Sequence, residues 1–306
     1  MEPTKIIELL NQIPDISNCV SAIVGAIMTA VFLRRNTETQ EFEKIKANKF
    51  AEVVDDLLES GKMTLTEYYK TKNFLDIAKI ADGMVQKKNN KSNGKQYSFD
   101  WFIRYYEASG NISDKEMQIL WAKILAGEIE KPSSYSLRTL DVLRNMSKEE
   151  AECFVKICNA SIKIESEKYV IPADQDYLSK NGIDYSDILM LEEIGLINSG
   201  SGIYINDDLE SNTRYKLYMY DSLIVKAIAS EKRKFSLRVY PFKNVGNELA
   251  TLIDRESNVD NFLNLCKKLQ DSNPGVLITV HRIIPSKNED IICEDENLLD
   301  SMEELD

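Results

Sequence analysis

Residues 112–128 read Ile112-Ser113-Asp114-Lys115-Glu116-Met117-Gln118-Ile119-Leu120-Trp121-Ala122-Lys123-Ile124-Leu125-Ala126-Gly127-Glu128. Met117, Leu120, Trp121, Ile124 and Leu125 recur at helical spacing, so one face of this stretch is apolar. Ser113 with Glu116 three residues on has the capping-box spacing, which places the helix start there. Trp121 reads as core. Glu128 falls on the same apolar face one turn later. A carboxylate in that position accepts hydrogen bonds from backbone N–H groups at the start of the next helix, or pairs with Arg138, or acts as a buried general base. Pro132 stops the chain, and Ser136 opens a further helix, Leu137–Asn145. Ser147 with Glu150 opens the next, which carries Phe154, Ile157 and Cys158. Upstream, Asp100 is placed to cap Trp101–Ser109, and Gly110 ends that segment. Short, tidily capped helices of this kind predict a compact bundle over 97–162.

Working outward to the N-terminus, Glu38–Leu58 and Thr64–Lys87 predict a helical hairpin over 36–88. Gly61 lies between them, and Thr64 with Glu67 makes a second capping box. Lys87–Lys95 is polar, basic and turn-rich and reads as a linker. Before the hairpin, residues 1–35 form an apolar segment. Its charge-free run Ile16–Leu33 is followed by Arg34 and Arg35. Val20, Ile23, Val24, Gly25, Ile27, Met28, Val31, Phe32 and Leu33, with the two arginines, make a helix that seeks either lipid or a packing partner. The run sits at the lower edge of a bilayer span. If it spans, the arginines hold the body of the chain in the cytoplasm, at the inner face of the cell membrane.

Towards the C-terminus the texture changes. Strand signals lie at Tyr169–Ile171, Ile203–Ile205, Tyr215–Ile228, Phe235–Tyr240 and Val276–Ile284. Helices are expected at Tyr185–Ile194, Gly246–Ile253 and Val259–Gln270. A helix, the Gly195-Leu196-Ile197 step and a glycine-tipped hairpin at Gly200–Gly202 together resemble a winged helix. The predicted fold class is therefore mainly α, with an α+β, winged-helix-like domain over 163–286. The tip of the expected wing is followed by Asp207, Asp208 and Glu210, which disfavours phosphate contact. Lys232, Arg233 and Lys234 form a basic cluster in an expected hairpin turn. It suits contact with an anionic partner, or simply a solvated turn.

The net charge is −12 over 306 residues. Nine of the acids fall between Glu289 and Asp306, where no Lys or Arg occurs; without them the body carries about −3. Residues 287–306 are expected to be a disordered acidic tail. Its apolar pairs Ile291-Ile292 and Leu298-Leu299 leave room for a docking peptide or a self-masking arm. Five cysteines lack C-x-x-C spacing and read as reduced thiols rather than a zinc site. A single histidine, His281, excludes paired-histidine chemistry. No phosphate-cradling loop, dinucleotide glycine pattern or metal-ligand spacing is present. No catalytic residue, cofactor or metal is assigned, and the expected role is non-enzymatic. The chain is read as an interaction or effector protein with a protein partner or self-association. A DNA-associated regulator is the alternative.

The 112–128 stretch, continued by Ser136-Leu137-Arg138-Thr139-Leu140 and ending near Phe154, resembles a bacterial family, the domain of unknown function 2806. Leu191-Glu192-Glu193-Ile194-Gly195-Leu196-Ile197 and Gly246-Asn247-Glu248-Leu249 fit the same family, over roughly residues 70–285. The chain departs from the pattern twice. Pro132-Ser133-Ser134 stands where Pro-Gly-Ser is expected, and Lys243-Asn244 stands where Leu-Thr is expected. The resemblance marks Ser113, Glu116, Trp121, Glu128 and Arg138 as structural motif positions and implies no reaction. A looser similarity, to the alpha domain of abortive-infection proteins, implies a place in phage defence.

Overall fold

The computed structural model describes residues 51–85, 98–164, 168–200, 202–209, 216–284 and 292–300. The chain divides between Asn145 and Met146 into two compact units. The apolar segment and its arginines, Val20 to Arg35, lie outside the described residues.

The first unit is helical. Residues 51–59 form a helix, and Gly61 turns the chain with φ +70°. Thr64 caps α1 (Leu65–Met84), and Glu67 closes the capping box. Asp55 ties the two helices together. It accepts from Tyr68 Oη at 2.9 Å and pairs with Lys72 at 2.8 Å. Three helices follow: α2 (Phe99–Ser109), α3 (Lys115–Glu130) and α4 (Leu137–Asn145). Two starts differ from expectation. Ser98, not Asp100, caps α2, and Asp114, not Ser113, caps α3 by accepting from Met117 N at 2.9 Å. Both shifts move the cap by one or two residues to another short polar side chain, which is chemically equivalent there.

The core of this unit is aromatic. Trp121, Tyr105, Phe102 and Phe74 are fully buried. Phe74 meets the edges of Phe102, Tyr105 and Tyr106, while Trp101 stacks on Tyr105 with ring centroids 5.0 Å apart. The two tyrosine tips are bonded internally, whereas the buried Trp121 Nε1 has no hydrogen-bond partner among the described residues. Tyr105 Oη donates to Trp121 O at 2.7 Å, and Tyr106 Oη shares a 2.9 Å bond with Thr71 Oγ1. Large rings give buried area, and the bonded tyrosine tips fix their geometry.

The second unit corrects the predicted fold class. It opens with α5 (Lys148–Asn159), which begins at the Ser147–Glu150 capping box and which the sequence had grouped with the bundle. Short helices α6 (Gln175–Lys180), α7 (Tyr185–Glu193) and α8 (Asn244–Ala250) and the longer α9 (Val259–Ser272) accompany eight strands. The strands are β1 (Ile162–Ile164), β2 (Tyr169–Pro172), β3 (Tyr204–Leu209), β4 (Lys216–Tyr220), β5 (Leu223–Ala229), β6 (Arg233–Pro241), β7 (Val276–Ile284) and β8 (Ile292–Cys293). They form one antiparallel sheet in the order β3-β6-β2-β1-β4-β5-β7-β8. The chain is therefore not a mainly helical protein carrying a small winged domain.

The expected wing does not form. Ile197 bridges to Phe242, and β3 pairs along its whole length with β6, from Tyr204 opposite Arg238 to Leu209 opposite Arg233. The two arms of the supposed hairpin each take β6 and its extension as partner, not one another. The stretch read as one strand, 215–228, is the β4–β5 hairpin. Its two-residue turn holds Asp221 at φ +52°, a conformation short polar residues tolerate.

The order of the strands forces the sheet to curl. Residues 230–232 join β5 to β6, although β4, β1 and β2 lie between them. Four chain steps reach at most about 14 Å. Four strand spacings in a flat sheet require about 19 Å. Side chains on the inner face confirm the closure. Tyr218 Oη on β4 donates to Asp207 of β3 at 2.5 Å, and Lys216 lies 3.6 Å from the same carboxylate. Helix α9 fills the concave side. Phe262, Leu265, Cys266 and Leu269 meet Ile162, Tyr218, Val225, Phe235, Leu237 and Ile278, leaving a void of only about 20 Å³.

Candidate functional site

Glu128, at the end of α3, is 3% exposed. One carboxylate oxygen accepts from Ser133 N at 2.7 Å. The other accepts from Ser134 N at 3.0 Å and Tyr135 N at 3.2 Å. Three successive backbone donors thus converge on a single anion, a nest arrangement. Of the roles open to Glu128, that of backbone acceptor is the one its geometry displays. Arg138 stands exposed on α4.

Two further contacts fix the same loop. Trp101 Nε1 donates to Tyr135 O at 2.8 Å. The Tyr135 ring lies against Gly127, where a Cβ would approach its Cε2 to 2.8 Å. Ser133 holds φ +69°, at the position where the family resemblance leads one to expect glycine. A left-handed conformation is strained for a residue with a Cβ. Ser133→Gly is therefore expected to stabilise this unit by about 0.5–1 kcal/mol, the relief of strain exceeding the added chain entropy. Urea titration followed by tryptophan fluorescence measures it, since both tryptophans, Trp101 and Trp121, lie in this unit. A loss of stability would show the loop to be unstrained.

The loop sets the position of α4, and α4 with α2 bounds a groove of about 520 Å³. Phe99, Ile103, Leu137 and Leu140 form its apolar floor, and Asp100, Arg104, Glu107, Asp141 and Arg144 its rim. Phe99 is 56% exposed. Arg104 reaches across to Asp141 at 3.7 Å, with both side chains more than half exposed, so this pair adds little stability. The sequence reading missed this groove. Its signal was present in Phe99 and Ile103, one turn apart on a helix whose other face is already filled by Trp101, Phe102, Tyr105 and Tyr106.

The remaining candidate residues do not gather. Ser113 and Glu116 are exposed at the start of α3, and Trp121 is core. Lys232 stands exposed in the β5–β6 connection, Arg233 lies 3.4 Å from Glu231, and Lys234 stands across the ladder from Asp208. The connection is a crossover between non-adjacent strands, not the hairpin turn expected. Helix α7 contains no Lys or Arg and exposes Tyr185 and Leu189 on a helix that also carries Asp187, Glu192 and Glu193.

No His, Cys, Asp and Glu group among the described residues could hold a metal ion. Burial pushes the Cys153 and Cys158 thiols up to about 12 and raises Cys266 as well, so these sulfurs stay protonated and inert. Both ring nitrogens of His281 are engaged, Nδ1 with Glu296 O and Nε2 with Thr279 Oγ1, each at 2.9 Å. No helix among the described residues is long and apolar enough to cross a membrane.

Compared with known proteins, residues 61–267 match the family model described as "Protein of unknown function (DUF2806)". No curated protein and no solved structure matches the chain. The looser similarity to the abortive-infection alpha domain finds no support in these comparisons.

Proposed function

Because the chain belongs to the DUF2806 family, whose description carries no reaction, we propose from its own groove that it is a non-enzymatic interaction protein. It receives an amphipathic helix of a partner protein between α2 and α4. One observation carries this reading: Phe99, 56% exposed on α2, lines one groove together with Ile103 and with Leu137 of α4. Helix-in-groove recognition needs such a floor for anchors spaced three and four apart. The carboxylates of Asp100, Glu107 and Asp141 outnumber the guanidinium groups of Arg104 and Arg144 on the rim, so a basic flank on the partner helix is favoured. The proposed setting is the cytoplasm, and a membrane-facing role for residues 16–33 stays part of the proposal. The DNA-regulator reading has less behind it, since α7 presents carboxylates rather than cations.

A photo-crosslinking side chain in place of Phe99, in the full chain inside cells, tests the proposal. A discrete protein adduct is expected, lost on Leu137→Asp and absent when the crosslinker replaces exposed Lys148. Equal adducts from both positions would overturn it. So would retardation of duplex DNA by the full chain that replacing Lys232, Arg233 and Lys234 with alanine abolishes.

A further inference from the structure

The outer edge of β7 is covered by the chain's own acidic tail, though hardly by a strand. Ladder pairing with β8 is confined to Ile283–Cys293 and Ile284–Ile292. Glu294 N then donates to Arg282 O, and Leu298 N to Val280 O, each at 2.9 Å. Two further edge donors are met by side-chain amides, one from the tail and one from α9. Val280 N donates to Asn297 Oδ1 at 2.9 Å, and Ile278 N to Gln270 Oε1 at 3.0 Å. His281 holds Glu296 O, and Leu299, 5% exposed, anchors the far end. Residues 292–300 are therefore not a free end, as the sequence led one to expect for 287–306.

We infer that residues 292–300 are a releasable strap over a self-complementary edge, and that two copies of this chain pair through β7 when it lifts. Val280 is the midpoint of Val276–Ile284. An antiparallel pair centred on it sets Val280 against Val280 of the second copy, exchanging both N–H···O bonds. The strap occupies these same two groups, through Asn297 Oδ1 and Leu298 N. In that register Leu277, 54% exposed, faces Ile283 of the second copy, and Ile284, 41% exposed, faces Val276. Arg282 faces Ile278, so no like charges meet across the pair. Strands of this kind need a guard against edge-to-edge association, and here the guard is peptide rather than charge.

Cys293 lies in the strap, half-exposed, with Lys226 Nζ 3.2 Å from its sulfur. The other cysteines among the described residues are buried. With Cys19→Ser in every variant, maleimide labelling of Cys293 reports strap opening, and sedimentation velocity reports pairing. Asn297→Ala with Leu299→Asp is expected to speed labelling at least tenfold and to double the sedimenting mass. Leu277→Lys added to it restores the original mass while labelling stays fast. Asn297→Ala alone gives the same order at smaller amplitude, so unfolding of the double variant leaves the test standing. Fast labelling without a change of mass would overturn the inference, as would a dimer indifferent to Leu277→Lys or labelling that no strap variant alters.

Discussion

Glu128→Ala is expected to destabilise the N-terminal unit by about 3–4 kcal/mol, because the backbone N–H groups of Ser133, Ser134 and Tyr135 lose their common acceptor. Each orphaned donor costs on the order of 1–3 kcal/mol when water cannot replace the acceptor. Water reaches the first two positions in part, which keeps the total below the simple sum. The corresponding fall in Tm is about 10–15 °C, read by tryptophan fluorescence. Glu128→Gln keeps one carbonyl acceptor but turns an amine towards the remaining donors, so about half the loss is expected. Both variants also unpin α4, and the Phe99 crosslink should weaken with them even well below the new Tm. A loss under 1 kcal/mol for the alanine variant would mean the loop holds itself, and that the carboxylate is there for a ligand or for chemistry.

The second large effect belongs to the C-terminal unit. A Cβ on Gly246 would fall inside van der Waals contact of Leu196 O and lie 3.1 Å from Leu196 C. Both are backbone atoms that cannot rotate away. The same carbonyl accepts from Lys243 N at 2.8 Å, and Asn247, the next residue, accepts from Tyr169 N at 2.7 Å while donating to Phe242 O. Helix α8 is thus clamped between the Leu196–Ile197 segment and the start of β2. Gly246→Ala must break one side of that clamp, and a loss of about 3 kcal/mol or more is expected. Gly83→Ala is the control. It adds the same methyl group inside α1 with no atom within 4 Å, and should stabilise by up to about 1 kcal/mol. Hydrogen exchange at β2 and β6 amides separates the outcomes. Unchanged protection in Gly246→Ala would show that α8 moves freely off the sheet.

The helices were legible because their signals are local. A cap is a hydrogen bond between residues three apart, and an apolar stripe needs only the helical period. The Ser147–Glu150 and Thr64–Glu67 boxes, the whole of α4 and the limits of β7 follow from residues within a few positions of one another. Where the reading slipped by one or two residues, at Asp114 and Ser98, two capping residues stood close together with nothing local to separate them. The backbone-acceptor geometry of Glu128 was among the roles its position allowed.

Strand partners were not legible, and this is why the winged helix was wrong. The segments Leu196-Ile197 and Ile203–Ile205 carry the pattern of a hairpin, yet β6 and its extension, with Phe235, Leu237, Val239, Tyr240 and Phe242, offer both a better surface. That choice depends on residues thirty or more positions away. The curl of the sheet follows from a three-residue connection spanning strands that other pairings have pushed apart. The α2/α4 groove and the strap on β7 arise the same way, from surfaces that meet only after the chain has folded. The sequence by itself determined where most of the longer helices lie, because cap and stripe energies are settled within one turn. Which edges are covered and which faces stay open was decided only by tertiary packing, where distant backbone donors compete for the same acceptors.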